Sequence, residues 1–189
     1  MEQDRNQTPR ANRIHIGFFG RRNAGKSSLI NAVTGQQVSV VSDILGTTTD
    51  TVEKAMELLP IGPVVLIDTP GLDDSGALGE LRVQRAKQTF SHTDIAVLVV
   101  DASVGMTQDD RRILQVLTEK HIPALSVWNK WDLAENTVLP EGAIAVSAAT
   151  GDGIEALKER LGAFYRERTA TQKPRHLFGN LLAPEDVVV

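Results

Sequence analysis

The clearest chemistry in the chain lies in Gly20-Arg21-Arg22-Asn23-Ala24-Gly25-Lys26-Ser27, which fits the spacing G-x-x-x-x-G-K-[ST]. It stands between an apolar run, Ile14–Phe19, and a helix-like stretch, Ser27–Val33, the context such a loop requires. Its glycines let the backbone wrap so that several N–H groups converge on phosphate oxygens, and the dipole of the following helix adds positive potential. Ala24, Gly25, Lys26, Ser27 and Ser28 are the candidate phosphate contacts. Lys26 brings a point charge to the β- and γ-phosphates, and the Ser27 hydroxyl can bind Mg²⁺. Asp68-Thr69-Pro70-Gly71 follows a second apolar run, Val64–Ile67. A carboxylate there would face the phosphate loop and hold Mg²⁺ through water, while Gly71 would admit a backbone N–H to the γ-phosphate. Alone, that segment reads equally as an Asp-initiated turn.

A third group addresses the base. Asn129-Lys130-Trp131-Asp132 follows the run Pro123–Trp128, and Ser147-Ala148-Ala149 follows Ala143–Val146. A carboxylate at Asp132 can accept from both N1–H and the N2 amino group of guanine, whereas adenine would leave it unpaired. Sites built on such a hydrogen bond reject the analogue lacking it by about 10⁴–10⁵. The aliphatic stem of Lys130 can lie over the ring, Asn129 can brace the loop, and the Ala148 N–H can reach guanine O6. The plain alternative for Asn129–Asp132 is a helix cap, but three motifs in this order on successive strand ends favour the nucleotide reading.

These residues need a scaffold that brings strand ends together. Short apolar runs (Ile14–Phe19, Val64–Ile67, Ile95–Val100, Pro123–Trp128, Ala143–Val146) alternate with helical patterns (Ser27–Val33, Leu78–Phe90, a helix capped by Thr107 through about Lys120, Gly153–Tyr165). Thr51–Leu59 reads as a further strand, with Pro60, Gly62 and Pro63 marking a turn. The alternation predicts an α/β fold, a mostly parallel sheet covered on both faces, with its site beyond the carboxyl ends of the strands. Residues 1–12 read as a polar tail, 13–166 as one domain, and 167–189 as a linker and the start of a following domain absent here.

The 189 residues carry 20 basic and 24 acidic side chains and no Cys. The absence of Cys excludes an iron–sulfur cluster, thiolate zinc and a Cys nucleophile from this chain. The slightly acidic balance argues against a nucleic-acid-coating surface. The longest apolar runs fall far short of the roughly 20 residues that span a bilayer, and residues 1–13 lack a secretory core, so a cytoplasmic location is expected. His15, His92, His121 and His176 are scattered without metal-ligand spacing.

With these motifs the chain resembles the translation-factor-like P-loop GTPases, all five of whose signature segments are present. The resemblance implies a Ras-like P-loop fold with one antiparallel strand, GTP as substrate and GDP as product. By that pattern Gly46-Thr47-Thr48-Thr49-Asp50 supplies the Mg²⁺ ligand of the GTP state, Thr48, with Thr47 the alternative. Leu72 stands where Ras-like enzymes carry their water-orienting glutamine. Asn23, in N-A-G-K-S-S, matches the potassium-activated branch that includes the tRNA-modification GTPases, and implies a K⁺ ligand; the alternative is an asparagine that only bonds its own loop. Glu80 sits where the tRNA-modification relatives place a water-activating glutamate, and equally fits an exposed helix carboxylate. Within the branch, RIHIGFFGRRNAGKSSLINAVTGQ, VSDILGTTTD and AMELLPIGPVVLIDTPGLDDSGALGEL are most similar to the [FeFe]-hydrogenase maturation GTPases, the HydF family. That similarity implies a role in assembling or transferring the di-iron subcluster. Its partners would be the hydrogenase and radical-SAM maturases, reached through the full-length protein, with a second copy of the chain a further candidate. No nucleic acid or membrane partner is implied.

Overall fold

A computed structural model describes residues 13–35, 52–69 and 87–171. Among the described residues the sheet has six strands: β1 (Ile14–Phe19), β2 (Val52–Leu58), β3 (Gly62–Asp68), β4 (Ile95–Asp101), β5 (Ala124–Asn129) and β6 (Ile144–Ala145). The helices are α1 (Lys26–Thr34), α2 (Gln108–Glu119) and α3 (Ile154–Thr171), with residues 87–91 also helical. In space the strands run β2-β3-β1-β4-β5-β6. Every neighbouring pair is parallel except β2 with β3. This is the Ras-like P-loop fold, with the antiparallel pair that the family resemblance implies.

The strand runs are continuously apolar because both faces are covered. All seven residues of β4 are buried. Ile95, Val97 and Val99 join Leu29, Ile30 and Val33 of α1 and Leu157 and Leu161 of α3 in one core. Ala96, Leu98 and Val100 join Ile113 and Leu117 of α2, Phe90 and Trp128 in the other. Phe19 and Phe90 stack there with ring centroids 4.6 Å apart.

Strand bounds shift slightly from the sequence reading. β3 begins at Gly62, so Pro63, expected in the turn, lies in the strand opposite Glu57 near its start. Proline is tolerated in the first residues of a strand, where a ladder donor is dispensable. The last helix is a clearer correction: α3 runs to Thr171, past the expected end at Tyr165, so residues 167–171, assigned to the linker, are helical. Arg166, Glu167 and Arg168 continue a helix without a breaker, and the first proline beyond it is Pro174. No helix among the described residues is long and apolar enough to cross a membrane.

Parallel pairing places the carboxyl ends of β1, β3, β4 and β5 along one edge, with Phe18 opposite Asp68 and Asp101 opposite Asn129. β1 is flanked by β3 on one side and β4 on the other. The loop leaving it therefore opens at the point where strand order reverses, where open α/β sheets bind ligands.

Candidate functional site

The loop after β1 is shaped by two glycines. Gly20 adopts φ +152°, and a Cβ there would come within 2.5 Å of the Val99 carbonyl oxygen. Gly25 adopts φ +92°, and its Cβ would run into the side-chain amide of Asn129. Between them Asn23 takes φ +62°, a left-handed turn that asparagine tolerates better than most side chains. Helix α1 starts at Lys26 with no side-chain cap and no acidic residue in its first turn, so its positive end is left to the loop. The buried Lys26 ammonium lies within the loop's curve, donating to the carbonyls of Gly20 (3.0 Å) and Arg21 (2.8 Å). Ala24 is buried, while Arg22, Asn23, Ser27 and Ser28 are exposed.

At the end of β3 the Ser27 hydroxyl donates to Asp68 Oδ2. Burial pushes the Asp68 carboxyl above its ordinary value, against the hydrogen bond from Ser27 and the charge of Lys26, which pull it down. A desolvated carboxylate beside a hydroxyl, both hard oxygen donors, suits Mg²⁺, which takes few protein ligands and completes its shell with water and phosphate. Among the described residues no group of three or more His, Cys, Asp or Glu offers a self-sufficient metal site. The Thr69 hydroxyl and N–H both donate to the Phe18 carbonyl (2.7 and 3.4 Å), tying the exit of β3 to β1.

The base-side loops are locked to the phosphate loop. Asn129, 2% exposed, donates through Nδ2 to the Ala24 carbonyl and accepts at Oδ1 from the Ala148 N–H, each at 3.0 Å. One amide thus joins all three loops, and the Ala148 N–H expected to meet guanine O6 is here directed to Asn129. Lys130 adopts φ +61° and donates from Nζ to the Asn23 carbonyl and to Asp101 Oδ2, both at 2.6 Å. Asp132 lies in a 3₁₀ turn, Trp131–Leu133, with its carboxylate exposed. The Trp131 N–H donates to the Val146 carbonyl (3.0 Å), fastening that turn to the exit of β6. Buried Ser147 receives the Thr150 N–H at its hydroxyl (3.2 Å) and closes the Ser147–Gly151 turn; Ala149 is exposed.

The expectations for Thr47, Thr48, Gly71, Leu72 and Glu80 lie outside the described residues, as do those for residues 1–12 and 172–189. The sequence reading missed Asp101, a buried carboxylate at the end of β4 that gathers Lys130, Ser103 and Arg21. A signal was available: Asp101 ends a wholly apolar strand on the same edge as Asp68, which was singled out on that ground. Arg21, within the phosphate loop, lies 3.9 Å from Asp101.

A family model described as "50S ribosome-binding GTPase" matches residues 15–130. The chain belongs to that GTPase family. The GTPase domain is 40% identical over 156 residues to the tRNA modification GTPase MnmE of Nitrosomonas europaea, covering 78% of this chain and 34% of that protein. It is 36% identical over 127 residues to GTPase Der of Fusobacterium nucleatum, covering 65% of this chain and 29% of that protein. Among solved structures it is similar to Era of Aquifex aeolicus bound to GDP·AlF₄⁻, with TM-score 0.68 and 26% identity over 79% of this chain and 56% of that one. The GTPase domain therefore spans about a third of the relatives MnmE and Der, and it binds and hydrolyses GTP as a domain of the TrmE/Era/Der type.

Proposed function

We propose that this GTPase domain is the nucleotide switch of an [FeFe]-hydrogenase maturation protein of the HydF type. The observation that carries the switch chemistry is the interlocked site. Lys26 and the uncapped start of α1 address phosphate, and Asn129 and Lys130 anchor the base loop directly to that phosphate loop. Support for the hydrogenase pathway is the resemblance of residues 13–36, 41–50 and 55–81, which extends well outside the shared motifs.

In this reading Ser27, Thr48 (or Thr47) and Asp68 hold Mg²⁺, which supplies charge neutralisation across the β- and γ-phosphates. The Gly71 N–H meets the γ-phosphate, and Glu80 activates the attacking water in place of the glutamine that Leu72 replaces. Asp132 selects guanine, with the Ser147–Ala149 loop at its O6 edge. Asn23, exposed on the phosphate loop, presents its side-chain oxygen as a K⁺ ligand. A monovalent cation there would offset charge developing in the transition state. Unassisted turnover should be slow, about 10⁻⁴ to 10⁻² s⁻¹. Phosphate release in KCl should exceed that in NaCl, and Asn23→Ala should remove the difference; equal rates for the parent protein in both salts would exclude the K⁺ role.

A second reading, a domain of a tRNA-modification GTPase, is favoured by the 40% identity to MnmE. Deleting the gene that encodes the full-length protein separates the two. Loss of hydrogenase activity with tRNA modification intact supports the first reading, and the reverse outcome supports the second.

A further inference from the structure

Four groups converge on one side chain that no motif includes. Asp101, 5% exposed, ends β4. Its Oδ1 accepts from the Ser103 N–H (3.0 Å) and the Ser103 hydroxyl (2.5 Å), so the turn after the strand sets the plane of the carboxylate. The other oxygen, Oδ2, accepts from the Lys130 ammonium at 2.6 Å. The Arg21 guanidinium approaches Oδ2 at 3.9 Å, too far for a hydrogen bond but near enough to add positive charge. Burial opposes ionisation of Asp101, yet the bonds from Lys130 and Ser103 and the charge of Lys130 outweigh it and hold the carboxyl below its ordinary value.

We infer that Asp101 is a positioning residue for nucleotide binding, fixing the Lys130 ammonium on the Asn23 carbonyl so that base loop and phosphate loop are held at their working separation before nucleotide arrives. Lys130 sits in a left-handed conformation, which costs a residue with a side chain free energy unless its surroundings hold it. Its flexible stem would otherwise sample many rotamers. The bonds to Asp101 and Asn23 hold both backbone turn and stem, and they span 29 and 107 residues of sequence. The Ala102 N–H donates to the Asn129 carbonyl (2.8 Å), so Asp101 and Lys130 issue from strand ends already in register. Ordering Lys130 in advance removes part of the entropy that nucleotide binding would otherwise cost. Replacing the carboxylate by an amide sets an NH₂ donor or a weak neutral acceptor against an ammonium and frees the stem.

The test is a double-mutant cycle read by dissociation of a fluorescent GDP analogue from the full chain. Lys130→Met keeps the aliphatic stem and deletes the ammonium. Asp101→Asn in the parent background should speed dissociation about 10- to 100-fold, as expected for loss of a hydrogen bond between charged groups. In the Lys130→Met background the same change should have almost no further effect. Ser103→Ala, which removes one of the two bonds orienting the carboxylate, should give a smaller acceleration of about threefold under the same rule, again absent with Lys130→Met. This milder change carries the test if Asp101→Asn does not fold. An equal effect of either substitution in both backgrounds would show that Asp101 serves only the general fold and would overturn the inference, as would no effect in the parent.

Discussion

At the scale of single residues, the site depends on places where one extra carbon or one lost charge is felt. Gly25 is the sharpest. Its positive φ is unfavourable for any side chain, and an added Cβ would meet the Asn129 amide that joins three loops. Gly25→Ala should therefore cost about 2 kcal/mol or more of folding stability, combining backbone strain with a steric clash. Nucleotide affinity should fall with it, which urea titration and GDP binding on the same sample would measure. Asp101 makes a pH prediction. Its carboxyl is held below its ordinary value, so the unfolded chain binds this proton more readily than the folded one. The resulting stabilisation is fully present above the unfolded value of about 4 and is lost as pH falls through the lower folded value. Asp101→Asn should be less stable than the parent near neutrality, with the gap narrowing below about pH 4; a gap constant from pH 7 to 3 would contradict the assignment.

At the scale of elements, α2 shows how local chemistry fixes one end of a helix. The Thr107 hydroxyl accepts from the Asp110 N–H (3.3 Å), and Asp110 Oδ2 accepts from the Thr107 N–H (2.8 Å). This reciprocal pair satisfies first-turn donors, and Asp110 itself is fully buried. Thr107→Ala removes an acceptor and leaves a buried carboxylate with fewer partners. It should cost about 1–2 kcal/mol in chemical denaturation. That cap was legible in the sequence because it needs only residues three apart. The continuation of α3 to Thr171 was less so, since helical propensity is a weak prior and the polar residues after Tyr165 resemble those of a tether.

At the scale of the whole molecule, the turn between β2 and β3 packs on α3. A Cβ on Gly162 would lie 2.6 Å from Pro60 Cγ, and Leu58, Ile61 and Leu161 share the surrounding core. Taken as a helix residue alone, Gly162→Ala should stabilise by about 1 kcal/mol. The proline ring cannot swing aside as a flexible side chain would, so the net effect should be destabilising by about 1–3 kcal/mol, the usual cost of overpacking. Thermal unfolding of the substituted chain decides the sign.

The phosphate loop, the order of strands and helices and the two base motifs could be read from the chain itself. Each is built from neighbours: a glycine spacing, a run of β-branched residues, an asparagine and aspartate three apart. What the sequence could not disclose is how those pieces hold one another. The bonds from Lys130 to Asn23 and from Asn129 to Ala24 join residues more than a hundred positions apart, and Asp101 enters only because β4 and β5 are paired in one register. Local spacing reports what backbone and adjacent side chains can do alone. Which distant charge completes a site depends on sheet order, and that is decided when both cores close and bring the strand ends to one edge.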